Sequence, residues 1–390
     1  MSLSLPADPP SARSLTGLVP QLIDALRRGE GSAPQAQPGA TDAPWFPPAS
    51  SVILLVVDGL GVHNLSSRSG HARFLTSVRA RKDVARTVFP STTASALSSL
   101  LTGESPGRHG IVGYRALEPE TDQVLNQLRG WDSDGLDPWT WQRIEPLLLR
   151  EASAGRPVFV VTKSEYENTG FTVATMRGAT FVGENDFTTR IDRAAELAAR
   201  HPGALIYLYV PDLDAIGHRR GWESDGWGAA LERVDAAARR LSESLVPGVG
   251  LVVTADHGMI DVPRHRHVLL EEGSPLVEGV RHIGGEPRML HLYAEPGAAG
   301  HVLTAWRDAE ASRSWIVSRD EAIATGLFGA VDDAVRARIG DVLVAARAGI
   351  AYYDDRLADK APQRMVGQHG SLTDEERIVP LIRLGAFARQ

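Results

Sequence analysis

Four segments of the chain are apolar almost without interruption: Ser51–Val57, Pro157–Val161, Ala204–Val210 and Gly250–Thr254. Runs of β-branched and aliphatic residues of this length mark strands buried on both faces. Between them the apolar positions recur at helical spacing, as in Ile191–Arg200 and Gly228–Leu245. Ahead of them Leu15, Leu18, Leu22, Ile23 and Leu26 line one face of a helix over Leu15–Arg28. Alternating buried strands and helices predict an α/β fold, a mostly parallel central sheet with helices on both faces. The rhythm breaks between residues 262 and 365. A strand over Met289–Tyr293 and helices near Ala298–Ala309 and Val331–Ile339 predict a smaller α+β insertion there. The chain thus divides into an N-terminal helix and connector (1–50), a core (51–261 and 366–390) and the insertion (262–365). Polar, Pro-rich residues 1–12 are expected to be loosely held, and Trp45 and Phe46 to pin the Gly/Pro-rich connector to the body.

Composition narrows the picture without deciding it. A chain of 390 residues, 43% hydrophobic, can bury a large core. Its net charge of −7 and the lack of a long basic run argue against a nucleic-acid-binding face. The absence of cysteine excludes disulfides and thiolate chemistry. No apolar run approaches the ~20 residues needed to span a membrane, and no secretory leader is visible. The default expectation is a cytoplasmic protein, with a processed secreted form as the alternative. The oligomeric state is left open.

In parallel sheets ligands gather beyond the carboxyl ends of the strands, so the residues directly after these strands carry the chemistry. Asp58 follows the first. Asp212, Asp214 and His218 follow the third, in Pro211-Asp-Leu-Asp-Ala-Ile-Gly-His218, and Asp256-His257-Gly258 follow the fourth. His369 stands near the C-terminus in Gly367-Gln-His-Gly-Ser371, without hydrophobic neighbours. Singly, each has an ordinary explanation: a helix cap, an i,i+4 ion pair, a polar turn. Jointly they supply carboxylate oxygens and imidazole nitrogens, a donor mixture that suits zinc, with manganese second. Between the first two strands, Pro90-Ser91-Thr92-Thr93 precedes an Ala/Leu/Ser run and reads as a helix start, where a hydroxyl meets free backbone N–H groups that favour an anion. Six ligands and one hydroxyl make two three-ligand sites flanking a phosphoryl group. A pair of divalent cations there would clamp the attacking and leaving oxygens.

Taken in order, Asp58, Thr93 nine residues ahead of Thr102-Gly103, Asp214-x-x-Gly-His218, Asp256-His257-Gly and His369-Gly resemble the alkaline phosphatase superfamily. The run Thr102-Gly-Glu-Ser-Pro-Gly-Arg-His109-Gly-Ile111 is similar to the type I phosphodiesterase/nucleotide pyrophosphatase branch. The resemblance covers residues 50–260 and 365–380. It implies two divalent metal ions, zinc before manganese. Asp214, His218 and His369 would hold one; Asp58, Asp256 and His257, with the Thr93 oxygen, would hold the other. It implies Thr93 as nucleophile in preference to Thr92 or Ser91, and a covalent phosphothreonine. It also implies a small-molecule phosphoester substrate and a metal-dependent hydrolase.

The likeness is incomplete. Nucleotide pyrophosphatases carry an Asn three residues after the nucleophile, where this chain has Ala96. The Ala-Ser-Ala sequence there is closer to phosphomonoesterases, which use an Arg elsewhere; Arg108, Arg115, Arg177 and Arg288 are candidates. Monoester, diester and phosphonate hydrolysis therefore stay open, as does a metal-binding protein without catalysis. A thiol- or serine-derived aldehyde, as in sulfatases, is excluded by Thr93. His109, Tyr114, His282 and Arg288 are candidates to line the substrate pocket. Trp131, Trp139 and Trp141 are expected in the core or as its wall.

Overall fold

The computed structural model describes residues 5–6, 8–9, 12–31, 43–131 and 135–389. Part of the polar start and residues 32–42 of the connector lie outside the described residues.

The central sheet contains β1 (Ser51–Val57), β2 (Val158–Thr162), β3 (Thr180–Gly183), β4 (Leu205–Val210), β5 (Val249–Thr254) and β6 (Ile382–Gly385). Their order is β6-β5-β1-β4-β2-β3. All pairings are parallel except β6 on β5. Every residue of β1, β2, β4 and β5 is buried, which is why these strands are apolar throughout instead of alternating. The two outer strands β3 and β6 are short and partly exposed, and they lack that signal. In the register, Val57 lies beside Val210 and Val56 beside Thr254. Three strands therefore end level, and the polar residues that follow them arrive at one edge.

Five longer helices flank the sheet or approach its carboxyl edge: α1 (Leu18–Gly29), α2 (Thr93–Thr102), α3 (Phe187–Arg200), α4 (Asp212–Arg220) and α5 (Asp225–Glu243). Asp186 caps α3 and Ser224 caps α5 through bonds to backbone N–H groups. All ten residues of α2 are buried. Its serines are accommodated because Ser95 Oγ donates to Ile111 O at 2.9 Å and Ser98 Oγ to Ala94 O at 2.7 Å. Phe46 is buried against Phe387, ring centroids 4.7 Å apart, and anchors the end of the connector.

After β5 the chain passes through Ile260–Asp261 and returns through Gly367–Gln368, the two pairing antiparallel. Between them stands an antiparallel sheet in the order Val280–Glu286, Met289–Ala294, Val342–Ala346, Ser314–Ser318. It has its own apolar cluster around Leu292, Trp306, Val344 and Tyr352. The helix Ala299–Glu310 forms, whereas the helix expected near 331–339 shrinks to Asp333–Arg336. Just beyond its end Arg338 lies over the Trp141 ring at 3.4 Å and donates to the Gly110 and Trp141 carbonyls. Trp131 and Trp141 are buried, but Trp139 is 63% exposed and belongs to no wall or core. No helix among the described residues is long and apolar enough to cross a membrane.

Candidate active site

Asp58, Asp214, His218, Asp256, His257, His369 and the Thr93 hydroxyl meet at the carboxyl edge of the sheet. β1 delivers Asp58 and β5 delivers Asp256 and His257; α4 carries Asp214 and His218 one turn apart. Gly59 permits the approach of α4. It sits at φ +75°, and a Cβ there would lie 3.2 Å from the Asp214 Cα. Thr93 is the first residue of α2. Its Oγ1 is 3.1 Å from His257 Nε2, and the same nitrogen is 3.4 Å from Asp58 Oδ1 and 3.5 Å from Asp256 Oδ2. On the other side His218 Nε2 lies 3.3 Å from Asp214 Oδ1 and 3.3 Å from His369 Nε2. His369 Nε2 is 3.9 Å from Asp214 Oδ1. The His257 and His369 rings stack 3.7 Å apart, so the two halves are continuous.

The three imidazoles are oriented alike. Nδ1–H of His218 donates to Gly367 O at 2.8 Å, that of His257 to Gly258 O at 3.1 Å, and that of His369 to Ser91 O at 3.1 Å. Each Nε2 is left facing the cluster as a lone-pair donor. The carboxylates face the same space. Asp58 Oδ1, Asp214 Oδ1 and Asp256 Oδ2 are buried without a hydrogen-bond partner. Burial, and then the neighbouring Asp256 and Asp214, push the Asp58 carboxyl well above the ordinary carboxylate range. Burial and the adjacent His257 and His218 push His369 well below the usual imidazole value.

Buried anions at such spacing are retained where cations compensate them. Asp58, Asp256 and His257 place donor atoms within 4.8 Å of one another, and so do Asp214, His257 and His369. The two groups share His257, and His218 Nε2 borders the second at 3.3 Å from both Asp214 Oδ1 and His369 Nε2; oxygen and nitrogen donors so arranged suit divalent ions of the zinc type.

The neighbouring hydroxyls face elsewhere. Ser91 Oγ donates to Ser371 O at 2.7 Å, and the Thr92 hydroxyl lies beside the Glu286 carboxyl. Two further side chains, which the strand-end pattern does not single out, border the cluster. Tyr209, the penultimate residue of β4, donates its hydroxyl to Asp58 Oδ2. Glu286, from the first strand of the insertion, places Oε2 3.5 Å from His369 Nδ1. Asp212 pairs instead with Lys163 and Arg190, at 3.9 and 3.7 Å.

Two of the candidate substrate contacts have their polar atoms engaged within the protein. All five N–H donors of Arg288 are engaged: two with Glu376, both at 2.8 Å, and three with the carbonyls of Ala346, Ala348 and Ile350. His109 is fully buried, its Nε2 2.8 Å from Ser99 Oγ and its Nδ1 accepting from Ile111 N–H at 3.1 Å. Burial, reinforced by Arg338, pulls its pKa down to about 3. His282 lies 3.2 Å from Asp122 on the insertion. Tyr114 is half-buried, and among the described residues no hydrogen bond joins it to the cluster.

A family model described as type I phosphodiesterase/nucleotide pyrophosphatase matches residues 52–372. The chain belongs to this family. An uncharacterised pyrophosphatase/phosphodiesterase of Schizosaccharomyces pombe is 25% identical over 244 residues, 57% of this chain and 47% of the relative. The chain thus spans about half the length of that curated relative. Among solved structures, an inactive form of murine ectonucleotide pyrophosphatase/phosphodiesterase 5 in complex with AMP superposes with a TM-score of 0.66 at 17% identity. That match covers 86% of this chain and 88% of the other. Phosphonoacetate hydrolase of Sinorhizobium meliloti in complex with phosphonoacetate gives 0.66 at 19% identity, covering 87% and 91%. At these identities the shared property is the fold.

Proposed function

We propose that the protein is a metal-dependent hydrolase of small-molecule phosphoric esters that works through a phosphothreonine on Thr93. The observation that carries this reading is the Thr93 hydroxyl, 3.1 Å from His257 and beside buried, unpartnered carboxylate oxygens. Asp214, His218 and His369 would hold one divalent ion. Asp58, Asp256 and His257, with the Thr93 oxygen, would hold the other. Such a pair lowers the pKa of a hydroxyl and neutralises charge gathering on phosphoryl oxygens.

This chain's residues then have distinct tasks. Thr93 Oγ1 forms a bond to phosphorus as the bond to the leaving alcohol breaks, and the proton from Thr93 ends on that alcohol by way of solvent. Water next attacks phosphorus, the bond to Thr93 breaks, and Thr93 recovers a proton from that water. The net reaction is ester plus water giving phosphate and alcohol. Backbone N–H groups at the start of α2 face the developing negative charge. His257 Nε2, 3.1 Å from the Thr93 hydroxyl, would serve the same ion as that oxygen, and Tyr209 orients Asp58.

The family description and the AMP-bound structural relative support a nucleotide-like ester; the phosphonoacetate-bound one supports a phosphonate as the competing substrate. Rates on p-nitrophenyl phosphate, bis-p-nitrophenyl phosphate and phosphonoacetate, with zinc supplied, test the reading. Turnover of either ester that is lost in Thr93→Ala at unchanged metal content supports it, and the faster ester assigns the class. Turnover of phosphonoacetate alone, or of none of the three, overturns it.

A further inference from the structure

Of the three histidines in the cluster, His369 has a carboxylate as well as a carbonyl beside its Nδ1. The carboxylate is Glu286 Oε2 at 3.5 Å, while His218 and His257 meet only the carbonyls of Gly367 and Gly258. The Glu286 side chain is only 6% exposed, and its Oε1 is buried with no hydrogen-bond partner. Its approach is built into the backbone. Gly370 sits at φ +120°, and a Cβ there would lie 2.6 Å from Glu286 Cδ. The Thr92 hydroxyl, next to Thr93, lies beside the same Glu286 carboxyl. Two residues further along the same hairpin, Arg288 grips Glu376, which accepts from Ser371 N–H at 3.0 Å. The insertion therefore holds the Gly367–Ser371 loop at two points, one of them directly on the imidazole.

We propose that Glu286 is a positioning residue for His369, through which the insertion sets the geometry and affinity of the ion assigned to Asp214, His218 and His369. The inference rests on the two-ion reading above. Ser91 O takes the Nδ1 proton at 3.1 Å; the carboxylate 3.5 Å away adds its charge beside that N–H, which favours the tautomer with Nε2 facing the cluster and raises the basicity of that nitrogen. The neighbouring Thr92 hydroxyl brings the same carboxylate to the start of α2. A change at Glu286 is therefore felt at both His369 and the hydroxyl-bearing turn. The Glu lies on a different element from all six assigned ligands, so the inserted sheet becomes part of the site.

The test is zinc titration of chelator-treated, full-length protein by calorimetry, comparing wild type, Glu286→Gln and Glu286→Asp, with thermal unfolding of each metal-free form. Wild type is expected to bind two ions. In Glu286→Gln one ion is expected to bind about 10–100-fold more weakly. The second is expected to keep its affinity, the metal-free melting temperature to stay put, and Glu286→Asp to recover part of the loss. Two ions bound by Glu286→Gln with wild-type affinities would overturn the inference while leaving the two-ion reading intact. Equal weakening of both ions with a lowered metal-free melting temperature would overturn it too, assigning Glu286 to folding alone. A wild-type protein that takes up no zinc would sink the underlying reading itself.

Discussion

Thr93 Oγ1 and His257 Nε2 lie 3.1 Å apart although 164 positions separate them in the chain. The contact joins the start of a buried helix to the end of a central strand and fixes which hydroxyl faces the acidic cluster. Of the adjacent candidates, Ser91 bonds Ser371 O and Thr92 lies beside Glu286.

Replacing each in turn separates these three hydroxyls, of which Thr93 is the proposed nucleophile. Thr93→Ala is expected to lower kcat by about 10⁴-fold or more, the scale seen when a nucleophile is removed. Thr93→Ser should retain measurable turnover because it keeps an oxygen at the same place. Ser91→Ala should stay near wild type. Steady-state kinetics on the best ester checks this, and full activity in Thr93→Ala would transfer the role elsewhere.

Tyr209 donates its hydroxyl to Asp58 Oδ2 from inside the sheet. Tyr209→Phe keeps the ring and leaves that oxygen without its donor. The expected consequence is a loss of about 10–100-fold in metal affinity or kcat, with little change in fold. Zinc titration and circular dichroism on the same samples measure the two effects separately; unchanged affinity and rate would assign Tyr209 to packing.

The Arg288–Glu376 pair is wholly buried, with both side chains at 0% exposure. Removing one partner strands the other charge, so Arg288→Met should destabilise the protein by about 3–5 kcal/mol. The double variant with Glu376→Leu should recover a large part of that. Urea unfolding of metal-free samples gives the comparison. A single variant as stable as wild type would mean the pair does not hold the hairpin to the Gly367–Ser371 loop.

His109 and His291 are buried and neutral, each pulled from an ordinary value of 6.5 down to about 3 chiefly by burial; Arg338 adds to this at His109, while at His291 a backbone hydrogen bond with Val112 opposes it and Arg319 adds to it. Between those values the unfolded chain binds a proton that the folded chain does not. Stability from each is therefore fully present above pH 6.5 and is lost as pH falls toward 3, by about 1.4 kcal/mol per pH unit. The stability difference between wild type and His109→Gln should shrink by that slope on going from pH 6.5 to 4.5. A difference independent of pH would show that His109 takes up its proton in the folded state.

Much of the fold and the seven-residue cluster could be read from the chain because both depend on local order. β1, β4 and β5 are apolar throughout, and Asp58, Asp214 and Asp256 follow their ends directly, so a parallel sheet brings them together. Short outer strands gave no such signal. Glu286 was missed because Gly284-Gly285-Glu286-Pro287 reads as a turn, and only the pairing of Gly370 with the carboxylate reveals its use. Arg288 invited a substrate role because arginine usually stays near water; its partner lies 88 positions away and leaves no local trace. His109 sits in a motif beside the helix, yet its two nitrogens serve Ser99 and Ile111.

The most direct test of the account is the stereochemical course at phosphorus, followed with a substrate made chiral by sulfur and oxygen isotopes. Two successive displacements, first by Thr93 and then by water, each invert the centre, so the account predicts net retention. Net inversion would show that water attacks the substrate directly, and the phosphothreonine at the centre of the mechanism would have to be given up.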